Sequence, residues 1–234
     1  MNFLPFIRND FRLLWRHGFA VAYLVVALVY AAVLSAFPAS WADAVLPVLA
    51  WSDAAFFCFF FAGASVCLDL AQGTFRALFV SPLPPWTYFL VKTANLSVLS
   101  FGMAAAVALS NRGLGFRPLP LAVAVLAGGA PSALIGAALA LRLRTVNRFL
   151  VGTIPVFLVL SLPILRYAAE PLIPEWLAAL SRWTPTEGSF LWARAAFAPV
   201  PGAELAAGAA AALAWTAAAS ALILGPAVRA AKGE

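Results

Sequence analysis

Few side chains in this sequence are suited to chemistry, and their placement excludes most of it. The 234 residues hold one histidine and two cysteines. A serine nucleophile within a membrane needs a nearby base, and His17 precedes the first long apolar run, so no Ser–His pair is available there. Zinc hydrolysis fails on the same count, for the sequence holds no His-Glu-x-x-His. Cys58 and Cys67 share one apolar run, match neither a CxxC redox pair nor a metal site, and read as small apolar side chains. A phosphate-binding loop requires GxxxxGK[ST]; only Lys92 precedes a threonine, and Val91 stands where the glycine must be. No metal, catalytic or nucleotide site is therefore expected. Any work that needs energy must draw on a partner.

One ionisable residue stands clearly inside an apolar run. A charge at a helix centre costs about 2.5–3.5 kcal/mol on insertion, so Asp53 is a functional candidate by default. It lies roughly 22 Å, at 1.5 Å per residue, from the Leu68 end of its run, which leaves two readings: an interfacial or capping Asp, or a polar group facing a transport path. Phe57, Phe60 and Ser65 in the same run are further candidates for lining such a path, and the Phe-rich stripe reads equally as lipid-facing or packed surface. Lys92 is placed to snorkel along the base of its span.

These residues must be positioned by membrane helices. The sequence is 64% hydrophobic and 10% charged, with a mean hydropathy of +0.96, against about 45–50% apolar and about 25% charged in soluble domains. The fold class expected is all-α and integral to the membrane. Six apolar runs match the length of a span, roughly Phe19 to Phe37, Val48 to Leu68, Phe89 to Ser110, Leu119 to Leu141, Phe149 to Leu165 and Leu205 to Gly225. Short connections leave no aqueous domain, so residues 1–234 form one transmembrane unit. The net charge of +6 comes from basic residues set singly or in threes beside apolar runs, which suits topology and not nucleic acid.

With both termini inside, the inner segments carry Arg8, Arg12, Arg16, Arg76, Lys92, Arg142, Arg144, Arg148, Arg229 and Lys232, ten of the fifteen basic residues, so the positive-inside rule places both termini in the cytoplasm. Ahead of the first span, residues 1–18 read as an interfacial amphipathic helix: Arg8, Arg12 and Arg16 stack on one face and Phe3, Phe6, Ile7, Phe11, Leu13 and Leu14 on the other. Asp10 and His17 fall inside the apolar arc as exceptions. A cleaved signal peptide is less consistent, because the apolar run is about 19 residues against a usual 7–15. The outer segment 166–204, with Trp176, Trp183 and Trp192, predicts short interfacial or re-entrant helices before the sixth span.

The inner stretch "DLAQGTFRALFVSPLPPWTYFLVK", Asp69 to Lys92, is the one inner loop long enough to form structure. Thr74 to Val80 reads as a short amphipathic helix stopped by Pro82, after which Pro84 and Pro85 turn the chain into the next span. Asp69-x-x-Gln72-Gly73-Thr74 followed by "ALFVSPLPPWTYFLVK" resembles the signature of type 2 ABC exporter permeases, in which an acidic residue precedes Gly-Thr, then Leu-rich residues, a Ser/Thr-Pro-Leu and a Lys. "LLWRHGFAVAYLVVALVY", "SDAAFFCFFFAGA", "RLRTVNRFL" and, more loosely, "WTPTEGSFLWARAAF" extend the likeness to the fluoroquinolone-export-type permease. Asp69 departs from the usual glutamate by one methylene, which questions the reach of any ion pair there. Membrane subunits of haem exporters share "SPLP" and the lysine but not the long outer segment.

The resemblance implies a half-transporter. Loop 69–88 would be a coupling helix docking on a separate ABC ATPase that binds ATP and Mg, with Phe75, Leu78 and Phe79 as apolar contacts, Arg76 at the rim, Gly73 as a tight turn, and Ser81 and Pro82 ending the helix. Residues 1–18, with Arg8, Arg12 and Arg16, would be the elbow helix. A second permease subunit, identical or different, would complete the path in a bacterial-type inner membrane. An ATP-independent carrier, a scaffold and a lipid-handling membrane enzyme are the competing readings.

Overall fold

The computed structural model describes residues 4–73, 85–168 and 173–232. Among them every regular element is helical. Helix α1 (Leu4–Arg16) leads into α2 (Phe19–Ser35), and α3 (Ala39–Ser52) passes through a π-helical turn (Asp53–Phe57) into α4 (Cys58–Ala71). After the loop come α5 (Pro85–Arg112), α6 (Pro118–Leu143), α7 (Val146–Leu160), α8 (Leu162–Ala168), α9 (Glu175–Ser181), α10 (Glu187–Ala195) and α11 (Gly202–Lys232).

Five stretches are long and apolar enough to cross a membrane: Asp43–Ala71, Trp86–Arg112, Pro118–Leu143, Val146–Tyr167 and Gly202–Ile223. The bent pair α1–α2, with a 63° turn between its halves, is a sixth candidate when counted as one span. The six expected runs are thus present with shifted ends. The second begins earlier than Val48, because Ala39 already starts α3 with Pro38 as its N-cap, and Pro47 is accommodated inside that helix.

Helix α6 is the centre of the bundle: 72% of its apolar window is buried, against 22% for Val146–Tyr167 and for Gly202–Ile223. It packs on α4, α5, α7, α10 and α11. Small residues make this possible. A methyl group added at Gly136 would lie 2.2 Å from the Phe59 carbonyl oxygen, so the backbones of α6 and α4 touch where only glycine fits. Outward, α2 exposes Val21, Leu24, Val25, Leu28 and Val29 by 51–62%, a surface that suits lipid and would be a liability in water.

The segment before the last span divides in two. Helix α9 and the turn after it leave Trp176 and Trp183 exposed by 68% and 78%, while α10 buries Phe190, Ala193 and Ala195 and packs between α3, α6 and α11. Helix α10 therefore enters the bundle instead of lying along its edge. Three bonds fix it and its neighbours: Trp51 Nε1 donates to the Thr186 carbonyl at 2.9 Å, Thr186 Oγ1 donates to the Leu160 carbonyl at 2.8 Å, and Trp192 Nε1 donates to the Leu205 carbonyl at 3.0 Å. The Leu160 carbonyl is freed by the break between α7 and α8, where Ile164 N turns to Ser161 O instead. Gly188 and Gly208 meet backbone to backbone at the α10–α11 contact.

Candidate functional site

The polar residues that flank the Asp69–Lys92 stretch converge on one buried cluster. Helix α5 presents Tyr88, Lys92 and Asn95 at i, i+4 and i+7, one face of a helix. Helix α4 supplies Asp69 at its last turn, and α1 supplies Asp10 from the face that also buries Leu14. Lys92 Nζ lies 3.0 Å from Asp69 Oδ2 and 3.3 Å from Asp10 Oδ1. Asn95 Nδ2 donates to Asp10 Oδ2 at 2.8 Å and to the Ile7 carbonyl at 3.1 Å. Tyr88 Oη donates to Asp69 Oδ2 at 2.5 Å, and the Lys92 ammonium stands 5.0 Å from the centre of the Tyr88 ring.

Burial gives this cluster its meaning. Lys92 is 6% exposed, Asp10 7% and Asn95 3%. Charges in such a setting persist only when paired and hydrogen-bonded. One lysine holds two carboxylates that come from different helices, with Asn95 on the second oxygen of Asp10 and Tyr88 sharing Asp69 Oδ2 with the lysine. The arrangement joins α1, the end of α4 and the start of α5, the two helices that bracket the loop, into one block. In structural terms the cluster is a clamp between three helices.

Sequence reasoning placed these residues differently. Lys92 does not run out along its span; it is turned inward between the two aspartates. Asp10, an exception on the apolar arc, is the inward partner that makes the arc dock. Asp69, one methylene short of the usual glutamate, reaches Lys92. The signal that would have found the clamp is the i, i+4, i+7 row of Tyr88, Lys92 and Asn95 set against a lone acid on an otherwise apolar helix face.

The other expected residues fall as follows. Arg8, Arg12 and Arg16 are exposed on α1, opposite Asp10 and Leu14. Gln72 caps α4 and Gly73 follows with φ +71°, a left-handed conformation that glycine adopts without strain. Thr74, Phe75, Arg76, Leu78, Phe79, Ser81 and Pro82, and with them the expected helix from Thr74 to Val80, lie outside the described residues. Asp53 is 1% exposed in the π-helical turn, and neither carboxylate oxygen has a hydrogen-bond partner among the described residues. Phe57 packs on Tyr23 and Phe61, Phe60 on Phe59 and Phe157, and Ser65 Oγ donates to the Ala62 carbonyl. An apolar cavity of about 360 Å³, lined by residues including Trp86, Phe89, Leu134, Thr216 and Ile223, contains none of these four. Cys58 and Cys67 are both buried and unbonded.

A helical bundle with five to six candidate spans is a multi-pass membrane protein. The chain belongs to the fluoroquinolones export permease protein family, whose profile matches residues 2–227. Proteins named fluoroquinolones export permease protein in two strains of Mycobacterium tuberculosis, CDC 1551 / Oshkosh and ATCC 25618 / H37Rv, are each 30% identical over 195 residues, covering 83% of this chain and 80% of the relative. No solved structure matches it.

Proposed function

We propose that the chain is the membrane-spanning subunit of an ATP-driven ABC exporter that moves a hydrophobic or amphiphilic small molecule outward across a bacterial-type inner membrane. ATP and Mg would bind a separate ATPase subunit docked on loop 69–88, and a second permease subunit, a copy or a homologue, would complete the path. The relatives' name specifies fluoroquinolones, which are amphiphilic small molecules of the proposed class. The observation that carries the reading is the clamp: an unusually costly buried ion pair is spent on fixing α1 to the two helices on either side of that loop.

A helix docked on the loop would push on α4 and α5 together. Because Lys92 holds Asp10 as well as Asp69, α1 would follow, acting as the elbow helix, with Arg8, Arg12 and Arg16 remaining at the lipid surface. The contact of α4 and α5 with α6 would carry the displacement into the centre of the bundle. The ten basic residues at that end support a cytoplasmic placement of loop 69–88 and both termini. No nucleotide motif occurs in the sequence, which supports an ATPase partner.

Copurification tests the proposal. The chain, expressed with its candidate ABC ATPase, is expected to retain that ATPase through purification, and Arg76→Glu or deletion of residues 73–82 is expected to release it. Retention of the ATPase by the deletion variant would sink the docking assignment.

A further inference from the structure

At the end of the bundle opposite the clamp, α8, α10 and the start of α11 enclose a recess of about 80 Å³ lined by residues that include Arg166, Tyr167, Glu187, Arg194 and Glu204. Its charges are unequally paired. Arg166 pairs with Glu187. Arg194 has no carboxylate within pairing distance and no hydrogen bond from its guanidinium among the described residues; its one contact of note is the Tyr167 ring, whose centre lies 5.1 Å away. Arg194 is therefore the lining cation left without a close counter-ion, with the exposed Glu204 as the other unpaired lining charge.

Arg194 is held ready. A guanidinium stacked on an aromatic ring loses little freedom on binding, and its planar fork of N–H donors matches an oxyanion in bidentate fashion. The recess has room for several waters, hence for one oxyanion. Beside it, α9 and the turn after it expose Trp176 and Trp183, residues that favour the depth of lipid head groups. We infer that this recess binds an anionic phosphate-type head group, with Arg194 as the principal contact and Arg166 as the second. The site is separate from the loop where we place the ATPase, and it stands whether or not that placement holds.

Native mass spectrometry of the detergent-purified full chain, titrated with phosphatidylglycerol or phosphatidylcholine, reads the site directly. One phosphatidylglycerol is expected to bind in preference to phosphatidylcholine, which has no net charge. Arg194→Gln, losing a charge-assisted pair, is expected to lower that affinity about tenfold. Glu204→Gln removes a rim carboxylate that holds no side-chain partner and is expected to raise it about twofold; this opposite sign separates binding from misfolding. Displacement by millimolar inorganic phosphate would identify a free oxyanion as the ligand, and resistance to it a lipid head group. Equal binding of the two lipids, or a Glu204→Gln variant that binds phosphatidylglycerol no better than the parent, would overturn the assignment.

Discussion

Lys92→Met is the substitution with the largest consequence at the clamp. The lysine side chain is 7% exposed, Asp10 9% and Asp69 15%, so removing the ammonium leaves two carboxylates facing each other out of water. Breaking a buried pair in this way costs about 3–5 kcal/mol. Asp10 keeps Asn95 and Asp69 keeps Tyr88, which points to the lower end, about 3 kcal/mol, or about a hundredfold in an equilibrium constant. The cheapest relief is for α1 to leave its seat, since Asp10 is its charged link to the cluster. Leu14, 3% exposed on the docked face, reports this: with Leu14→Cys in an otherwise unchanged protein, the rate of maleimide modification follows the undocked population. Lys92→Met is expected to raise the rate about a hundredfold, and combining it with Asp10→Asn and Asp69→Asn to bring it back to within about tenfold of the parent, because an uncharged cluster leaves no orphaned charge. A Lys92→Met rate within about twofold of the parent would refute the clamp.

Three further substitutions probe the frame that carries it. Gly136→Ala places a methyl group 2.2 Å from the Phe59 carbonyl oxygen and is expected to cost about 1–3 kcal/mol by forcing α6 from α4, seen as a lower thermal midpoint in detergent. Trp51→Phe keeps an aromatic ring but loses the donor to the Thr186 carbonyl; that carbonyl still accepts from Phe190 N and Ser189 Oγ, so the expected loss from the missing hydrogen bond is about 0.5–1.5 kcal/mol. Arg112→Gln breaks a pair with Asp43 whose side chains are 28% and 46% exposed; the same thermal scan is expected to show a change within about 0.5 kcal/mol.

The spans were legible because apolar runs of about twenty residues have few alternative uses, and the basic face of α1 was legible from the spacing of Arg8, Arg12 and Arg16. What escaped was whatever depends on a partner helix. Asp10 looked misplaced because its partners are Lys92 and Asn95, more than eighty positions away. Lys92 looked like an interfacial lysine because hydropathy does not report that two acids await it inside. Asp53 sits in a π-helical turn, a distortion of the hydrogen-bond ladder that apolar periodicity does not encode. The segment holding α10 was expected to form interfacial or re-entrant helices, and the sequence left that choice open; Trp192 turns inward to the Leu205 carbonyl and α10 packs inside the bundle. Gly208, suited by size to close contact, meets Gly188, a pairing between two helices that neither one reveals alone.

The proposed source of energy is tested most directly in proteoliposomes holding the purified permease and its candidate ABC ATPase, with extrusion of a fluorescent amphiphile followed on addition of ATP and Mg. Transport is expected only with both proteins and hydrolysable ATP, and is expected to fall to background with Arg76→Glu while the ATPase alone still hydrolyses ATP. Transport by the permease alone, or undiminished transport with an ATPase unable to hydrolyse ATP, would contradict it.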